Sequence, residues 1–364
     1  MFKRVAVVGT GLIGGSICLG LRAALPPPHV VAFDTDPDAG RAGLERGAFS
    51  EVAESVGEAV QAADLVVVAT PVDTTADVCA RMLDTLAPDA VVTDVGSAKA
   101  GVVEECEALL GARFVGGHPM AGSERHGIAA ADAELFQDAW WILTPTAATR
   151  SFAYRAASAL AATLGARPIA IEPDAHDRLL ARLSHLPQVV ASGIVAAAVA
   201  AEDQESLLGL AAGGFRDVTR IAASDPGMWV SILRSNRVAV LEALEEFSSG
   251  LVEVATALRE ERWGDLAAFL GRARQARMEL FAKPQMHDVP VALSLPILDR
   301  PGVLAEVTTA AGGLGANIED LRIVHSTEGG RGRLELIVAG ERPAEDLAER
   351  LRTLGYRVER GRPA

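Results

Sequence analysis

Residues 4–16 read RVAVVGTGLIGGS, and this stretch decides the fold of the N-terminal part of the chain. The apolar run at its start predicts a buried strand, and a helix is expected to begin near Leu12. Between them the glycines follow the spacing GxGxxG. Gly9 permits a tight turn, Gly11 lets the backbone approach a pyrophosphate, and Gly14 lets the helix pack close to the strand. Because the helix N-terminus would face the phosphate charge, the pattern predicts a βαβ unit that binds a dinucleotide.

An acidic residue ends the next strand-like run, HVVAFDTD. Asp34 stands about 25 residues after Gly9, and the proline linker 26–28 accounts for the excess over the usual spacing of about 20. A carboxylate there accepts hydrogen bonds from ribose hydroxyls and repels a 2'-phosphate, and no arginine follows in residues 35–38. The pattern favours NAD over NADP; the alternative is a glycine turn that only joins a strand to a helix. The predicted cofactor contacts are Gly9, Thr10, Gly11, Leu12, Ile13, Gly14, Asp34, Thr70 and Pro71.

Alternating strand and helix signals continue through the first half of the chain and are typical of a mainly parallel sheet covered on both faces. The further strand-like runs are residues 65–69, 90–93, 113–115 and 141–143. Ligands of such sheets collect beyond the carboxyl ends of the strands. The loops with polar tips expected at that edge are residues 70–74, 94–99 and 116–124.

The third of these loops, GGHPMAGSE, places His118 after an apolar run and among small residues. Imidazole has the side-chain pKa nearest neutrality, so His118 is the candidate general base, and a structural loop histidine is the alternative. In the second loop, VGSAK, Ser97 offers a hydroxyl and Lys99 a cation. Helix capping is the alternative role for Ser97.

Composition limits the class of protein. With 364 residues, 49% of them hydrophobic, the chain is long enough for two or three packed domains. A net charge of -14 disfavours a nucleic acid partner.

Cys18, Cys79 and Cys106 lack CxxC spacing and stand in apolar surroundings, which predicts reduced core residues in a cytoplasm. The uncharged run 5–21 resembles a signal peptide, but its glycines belong to the nucleotide pattern and no typical cleavage site follows, so neither export nor membrane insertion is expected.

The second half begins as a helical domain. Alanine and leucine dominate residues 174–281, and strand alternation disappears. A helix over about 179–201 is too apolar for a surface helix and is therefore expected to be buried, with a second copy of the chain as one partner. Pro187 must kink or end it, which would turn the polar side chains of SHLPQ, residues 184–188, toward a ligand or a structural hydrogen-bond network. In residues 213–229 an arginine can clamp a carboxylate or form a structural ion pair with a nearby aspartate.

Six features occur in an order that resembles the prephenate dehydrogenase family of tyrosine biosynthesis: GTGLIG, Asp34, VGSAK, GHPMAGSE, HDRxxARxSHLPQ and DVTRIAxSDPxMW. The resemblance implies an α/β Rossmann-like domain over 1–170 and an all-α dimerisation domain over 171–284. It also implies a homodimer that oxidatively decarboxylates prephenate, or its amino analogue arogenate, with NAD. No metal is implied, because the forming carbonyl and then the aromatic ring accept the electrons, and the sequence lacks a cluster with ligand spacing.

The same resemblance assigns roles residue by residue. His118 resembles the family's catalytic histidine, Ser97 the serine that shares the substrate hydroxyl, and Glu124 the carboxylate that gates the pocket. Arg220 resembles the arginine that grips the ring carboxylate, and the remaining pocket residues are Ser184, Gln188 and Trp229. Many members have SHLPH where this chain has SHLPQ. Since that position faces the substrate side chain, the preference between the keto acid and the amino acid stays open.

Residues 289–361 show a βαββαβ pattern, which is large enough to fold alone. This α+β segment resembles the ACT domain, a small ligand-sensing module that pairs with copies of itself. Tyrosine, as end product, is the expected effector, and a dimerisation module without a ligand is the alternative. The effector positions that the resemblance implies are Asp299, Gly302, Val303, Leu304, Asn317 and Ile318.

Two other functions are compatible with parts of the pattern. One is a two-domain hydroxyacid dehydrogenase in which Lys99 or another lysine donates the proton. The other is a redox or amino-acid sensor that binds NAD without turnover, which would not explain why Ser97, His118 and Arg220 occur together.

Overall fold

The structure is a computed structural model that describes residues 2–122, 125–200, 213–280, 290–298, 303–316, 318–325 and 331–361. The chain divides into two compact units, Met1–Glu253 and Val254–Ala364. The finer division at residues 170 and 284 stays a prediction.

An eight-stranded sheet forms the centre of the first unit. Its strands are β1 Arg4–Val8, β2 His29–Phe33, β3 Glu51–Val52, β4 Leu65–Val68, β5 Val91–Asp94, β6 Phe114–Pro119, β7 Trp140–Thr144 and β8 Arg167–Ala170. The spatial order is β3-β2-β1-β4-β5-β6-β7-β8, and β7 runs antiparallel to β6 whereas the other pairs are parallel. The predicted Rossmann-like α/β fold is confirmed. The edge strands β3 and β8 were not predicted, because they are short and partly exposed.

Helices cover both faces of this sheet: α1 Leu12–Ala23, α2 Pro37–Glu45, α3 Val56–Val60, α4 Thr75–Met82, α5 Ala100–Leu110 and α6 Ser151–Thr163. In β1, Val5 and Val7 belong to one hydrophobic core, and Ala6 and Val8 belong to another. Both faces of β1 therefore pack against apolar helix surfaces. This explains why the sequence of the strand is apolar throughout and does not alternate between apolar and polar residues. The three cysteines are free and buried, as the sequence predicts.

A helical part of the chain follows β8. Its elements are α7 Pro173–Leu180, a π-helical turn Ala181–His185, α8 Leu186–Val199, α9 Gly213–Thr219, a 3-10 turn Arg220–Ala223, α10 Pro226–Ser235 and α11 Arg237–Arg259. The helix predicted over 179–201 thus begins earlier. Pro187 sits in the first turn of α8, directly after the π turn Ala181–His185, so the regular hydrogen bonding of the helix is interrupted beside the proline, which cannot donate a backbone N–H.

Residues 173–199 together form a 27-residue helix that is long and apolar enough, by composition, to cross a membrane. Its first turns instead pack against α5 of the sheet domain. In a single chain much of α8 is exposed, with Val199 at 42%, so burial against the rest of the same chain is incomplete and burial against a second copy stays a prediction. An exposed apolar face of this kind is typical of a surface that another protein covers.

The second unit contains α12 Trp263–Leu280 and a smaller sheet. Its elements run β9 Pro290–Leu298, α13 Val303–Gly313, β10 Ile318–His325, β11 Arg331–Ala339, α14 Glu341–Thr353 and β12 Glu359–Gly361, with the antiparallel order β10-β11-β9-β12. This is the predicted βαββαβ pattern. Of the expected effector positions, Asp299, Gly302, Asn317 and the side chain of Leu304 lie outside the described residues. Val303 and Ile318 pack in the core of this unit.

Candidate active site

Of the three glycines in the GxGxxG turn after β1, only Gly11 has open space beside its backbone. Gly9 has φ +93°, and a Cβ on Gly14 would lie 1.9 Å from the Gly9 carbonyl oxygen, so chain geometry alone requires both glycines. A Cβ on Gly11 would meet nothing within 4 Å. Because α1 has neither a side-chain cap nor an acidic residue in its first turn, its N–H groups suit an anionic group.

Asp34 follows β2 and faces this turn, as the sequence predicts. Its Oδ2 accepts hydrogen bonds from Thr10 N at 2.6 Å and Thr10 Oγ1 at 2.8 Å, and its Oδ1 accepts from Asp36 N at 3.0 Å. A carboxylate offers about four acceptor positions, so capacity for a ribose hydroxyl remains. Leu12 and Ile13 open α1, and Thr70 and Pro71 follow β4 at the same edge of the sheet.

The loop after β5 is held by a buried ion pair. Lys99 is fully buried, and its Nζ donates to Asp94 Oδ2 and to the Gly117 carbonyl oxygen at 3.0 Å. Asp94 Oδ1 accepts from Gly117 N at 3.0 Å, so the pair fastens β6 to β5. Lys99 is committed to this structural role, which removes it as the proton donor of a hydroxyacid dehydrogenase.

His118 lies inside β6, where it pairs with Ile142 of β7, and not in a loop as the sequence suggested. Its Nδ1 lies 2.8 Å from His176 Nε2, and His176 Nδ1 lies 2.8 Å from Asp177 Oδ1. His118 Nε2 makes no hydrogen bond to any residue that the structure describes. The free nitrogen is thus available to a ligand at the carboxyl edge of the sheet.

Burial dominates the titration of the histidines in this region. It lowers the pKa of His118 well below its ordinary value, and the neighbouring His176, Lys99 and His185 lower it further. Burial also lowers the pKa of His185 to about 4. For His176 burial lowers the pKa, although the hydrogen bond to Asp177 opposes that shift. All three rings are therefore neutral near pH 7, the state in which His118 can accept a proton.

Ser97 lies in the loop between β5 and α5 and is half-buried. It does not cap α5, because Lys99 N and Ala100 N donate to the Asp177 carboxylate at 2.7 and 2.9 Å. The Ser97 hydroxyl makes no hydrogen bond to the described residues. The capping alternative is therefore wrong.

Three pocket candidates come from the helical part. Gln188, in the first turn of α8, is buried, and Ser184 lies in the π turn before it. Trp229, on α10, meets the ring of His185 edge-on at 6.0 Å. Among the described residues, Gln188 Oε1, His185 Nε2 and Trp229 Nε1 are buried without a hydrogen-bond partner. Buried polar atoms of this kind favour a polar ligand beside them.

Contacts between elements bring these candidates to one edge of the sheet domain. Ser231 of α10 donates to Asp73 Oδ1 at 2.6 Å, which fastens the helix of Trp229 to the loop of Thr70 and Pro71. The 3-10 turn that carries Arg220 packs against α8. Arg220 is exposed and forms no ion pair within the described part of the chain, so the alternative of a structural ion pair with a nearby aspartate, Asp217 or Asp225, is not found for this arginine. Glu124 lies outside the described residues, and its gating role stays a prediction.

The sequence interpretation assigned no role to His176 and Asp177. Both are buried on α7, on the same face as Leu180. Polar residues on the buried face of an amphipathic helix must find partners, and that signal alone marks them as members of a polar network.

Two family models match the chain. The nucleotide-binding domain of prephenate dehydrogenase matches residues 17–170, and the dimerization domain of prephenate dehydrogenase matches residues 172–272. The prephenate dehydrogenase of Bacillus subtilis (strain 168) is 34% identical over 349 residues, which are 92% of this chain and 92% of that protein. The cyclohexadienyl dehydrogenase of Zymomonas mobilis is 34% identical over 77% of this chain and 97% of that protein.

Solved structures of dehydrogenases with similar names also superpose on this chain. The prephenate dehydrogenase from A. aeolicus in complex with hydroxyphenyl propionate and NAD+ superposes with a TM-score of 0.72 at 31% identity, over 77% of this chain and 99% of that one. The Synechocystis arogenate dehydrogenase superposes with a TM-score of 0.67 at 28% identity, over 76% and 99% of the two chains.

Proposed function

The chain belongs to the prephenate dehydrogenase family, and we propose that its own substrate is prephenate and that His118 is the base. It is an NAD-dependent oxidoreductase of tyrosine biosynthesis. The observation that carries the assignment of the base is the buried, neutral His118 at the carboxyl edge of the sheet, whose Nε2 has no hydrogen-bond partner among the residues that the structure describes. A sensor without turnover would have no need for such a group.

The glycine turn fits NAD. The open space at Gly11 admits the pyrophosphate, the uncapped N-terminus of α1 supplies N–H donors, and Asp34 retains acceptor capacity for a ribose hydroxyl. The other contacts proposed are Thr10, Leu12, Ile13, Thr70 and Pro71.

The residues divide the reaction between them. His118 Nε2 takes the proton of the C4 hydroxyl, Ser97 shares a hydrogen bond with that hydroxyl, and Arg220 holds the ring carboxylate. NAD, when bound, would supply the hydride acceptor for the oxidation of C4 to a carbonyl. The bond between the ring and the carboxyl carbon then breaks, and its electron pair makes the ring aromatic as carbon dioxide leaves. His118 returns its proton to the product oxygen, so no net proton is consumed.

Substrate choice is tested by following NADH production from prephenate and arogenate side by side. Gln188 is neutral and buried, at the position where the family resemblance implies a histidine in many members, so it would supply a hydrogen bond and no charge to the substrate side chain. We expect a higher kcat/KM with prephenate. Equal values would indicate a dual-specificity cyclohexadienyl dehydrogenase, and turnover of arogenate alone would refute the assignment. Cofactor binding without turnover of either compound would support the sensor.

Cofactor preference tests the role of Asp34. We expect a higher kcat/KM with NAD than with NADP, because the Asp34 carboxylate repels a 2'-phosphate. Asp34→Asn keeps an acceptor for Thr10 but loses the charge, and it should narrow that preference. Asp38→Asn removes an equal charge from the exposed start of α2 and should leave the preference unchanged. Equal use of both cofactors by the unmodified enzyme would contradict the assignment.

The second unit suggests feedback control. We propose that tyrosine binds the ACT-like module near Asp299 and Asn317 and favours an inactive state, by a coupling of about 1 to 3 kcal/mol. The Zymomonas mobilis enzyme is matched over 97% of its length by only 77% of this chain, which suggests that part of this chain is dispensable for catalysis.

Truncation after Lys283 should therefore leave an active dimer that no longer responds to tyrosine. The measurement is the inhibition of NADH production by tyrosine in the full-length and truncated proteins, with kcat and KM nearly unchanged. Competitive inhibition that survives truncation would place tyrosine in the active site and would contradict the regulatory role.

A homodimer in the cytoplasm is part of the same proposal. The exposed apolar face of α8 lies within the residues matched by the dimerization domain, so a second copy is the proposed cover. The proposed domain limits remain 1–170, 171–284 and 289–361.

A further inference from the structure

His118 is the first member of a chain of hydrogen bonds that ends on the backbone of α5. His118 Nδ1 and His176 Nε2 are 2.8 Å apart, and His176 Nδ1 and Asp177 Oδ1 are also 2.8 Å apart. The Asp177 carboxylate then accepts from Lys99 N and Ala100 N at 2.7 and 2.9 Å. The ring positions are thereby tied to a rigid part of the fold.

The backbone N–H groups at the end of this series of hydrogen bonds determine which atom donates and which accepts in each of them. Both Asp177 oxygens face N–H donors, so the carboxylate is an acceptor and His176 must present a protonated Nδ1. Because burial keeps His176 neutral, its Nε2 carries a lone pair. That lone pair accepts a hydrogen bond only if His118 is protonated at Nδ1. The remaining nitrogen, His118 Nε2, must then be unprotonated.

We propose that Asp177 and His176 are positioning residues that hold His118 in the tautomer protonated at Nδ1, with Nε2 directed to the substrate hydroxyl. This inference rests on the proposed function, in which His118 is the base. Without a partner at Nδ1, a neutral imidazole can carry its proton on either nitrogen, and the form protonated at Nε2 cannot accept there.

The same chain stabilises the charge that forms during the reaction. When His118 Nε2 gains the substrate proton, its Nδ1–H remains bonded to His176, and the carboxylate beyond His176 stabilises the positive ring. No proton has to move past His118. Lys99 also faces this region, but Asp94 neutralises it. Among the residues that the structure describes, the titratable and charged groups around His118 are His176 and Asp177 on α7, Asp94 and Lys99 before α5, and His185 in the π turn.

The tautomer can be measured without substrate. NMR of the full-length protein with 15N-labelled histidine distinguishes the two ring nitrogens, and the spectrum of His118→Asn identifies the His118 signals. We expect a protonated Nδ1 and a bare Nε2 in the unmodified protein, and a mixture of tautomers in His176→Gln. A protonated Nε2 in the unmodified protein overturns the proposal. Since this measurement needs no turnover, it is independent of the proposed function.

Kinetics separates positioning from a merely structural role. Asp177→Asn and His176→Gln should lower kcat for prephenate by about tenfold to a thousandfold, below the full worth of a general base, with little change in KM. His176→Gln leaves in place the hydrogen bonds from Lys99 N and Ala100 N to Asp177. A loss of kcat in this variant therefore cannot be attributed to a disturbed start of α5. Asp174→Asn, an equal charge change on the exposed side of α7, should leave kcat unchanged.

A double variant gives the decisive result. If Asp177 acts through His118, adding Asp177→Asn to His118→Asn should cost no further activity, within about twofold. Effects that multiply would overturn the positioning role. Absence of prephenate turnover in the unmodified enzyme would refute the proposed function alone, because the NMR measurement would still decide the tautomer.

Discussion

His118→Asn is expected to fold and to bind NAD but to lose turnover by about a hundredfold to ten-thousandfold, the usual worth of a general base. The amide fills similar space and keeps a polar atom near His176, yet it cannot take the hydroxyl proton. The measurements are kcat with prephenate, the dissociation constant of NAD and the unfolding midpoint. Near-normal kcat in this variant would remove His118 from the mechanism.

His29→Asn is the matched control for this variant. His29 is exposed at the amino end of β2, the edge of the sheet opposite the proposed site, and should tolerate the same change without loss of kcat. The pH profile adds a second check. Because the pKa of His118 lies well below its ordinary value of 6.5, the base stays unprotonated as the pH falls from 8 to 6.5. The acidic loss of kcat/KM should therefore begin only below that range, and a loss centred near neutral pH would contradict the assignment.

Arg220→Ala should raise KM for prephenate strongly. A carboxylate that loses a charged, bidentate partner forfeits roughly 2 to 5 kcal/mol, which corresponds to an increase in KM of about 30-fold or more. Arg220→Lys keeps the charge but loses the planar fork, so an intermediate KM is expected. Because Arg220 has no ion pair within the described residues, neither change should lower stability appreciably.

Arg216→Ala provides the comparison for Arg220. Arg216 lies about one helical turn earlier, on α9, and is also exposed. Its removal should leave KM nearly unchanged. If Arg216→Ala raised KM instead, the carboxylate would bind the other arginine. Unfolding of Arg220→Ala would show that its role is structural.

Much of the site could be predicted because it depends on short stretches of chain. The turn at Gly9 and the close packing at Gly14 follow from backbone sterics within one strand and one helix, and Asp34 follows from the length of one βαβ unit. The motifs around His118 and Gln188 were recognised in the same way. The protonation state and the hydrogen-bond partner of each side chain could not be predicted in this way, because they depend on elements that meet only in the folded domain.

The sequence by itself determined the sheet domain, the helical domain after it and the βαββαβ tail, since hydrophobic periodicity and glycine positions act locally along the chain. The tertiary structure alone decided which polar groups work together. It removed Lys99 from the chemistry by burying it against Asp94, and it brought His176, which is 58 residues further along the chain, to His118 together with its neighbour Asp177. The reason is physical: most buried polar groups are hydrogen-bonded, and their partners come from whichever elements the fold packs together.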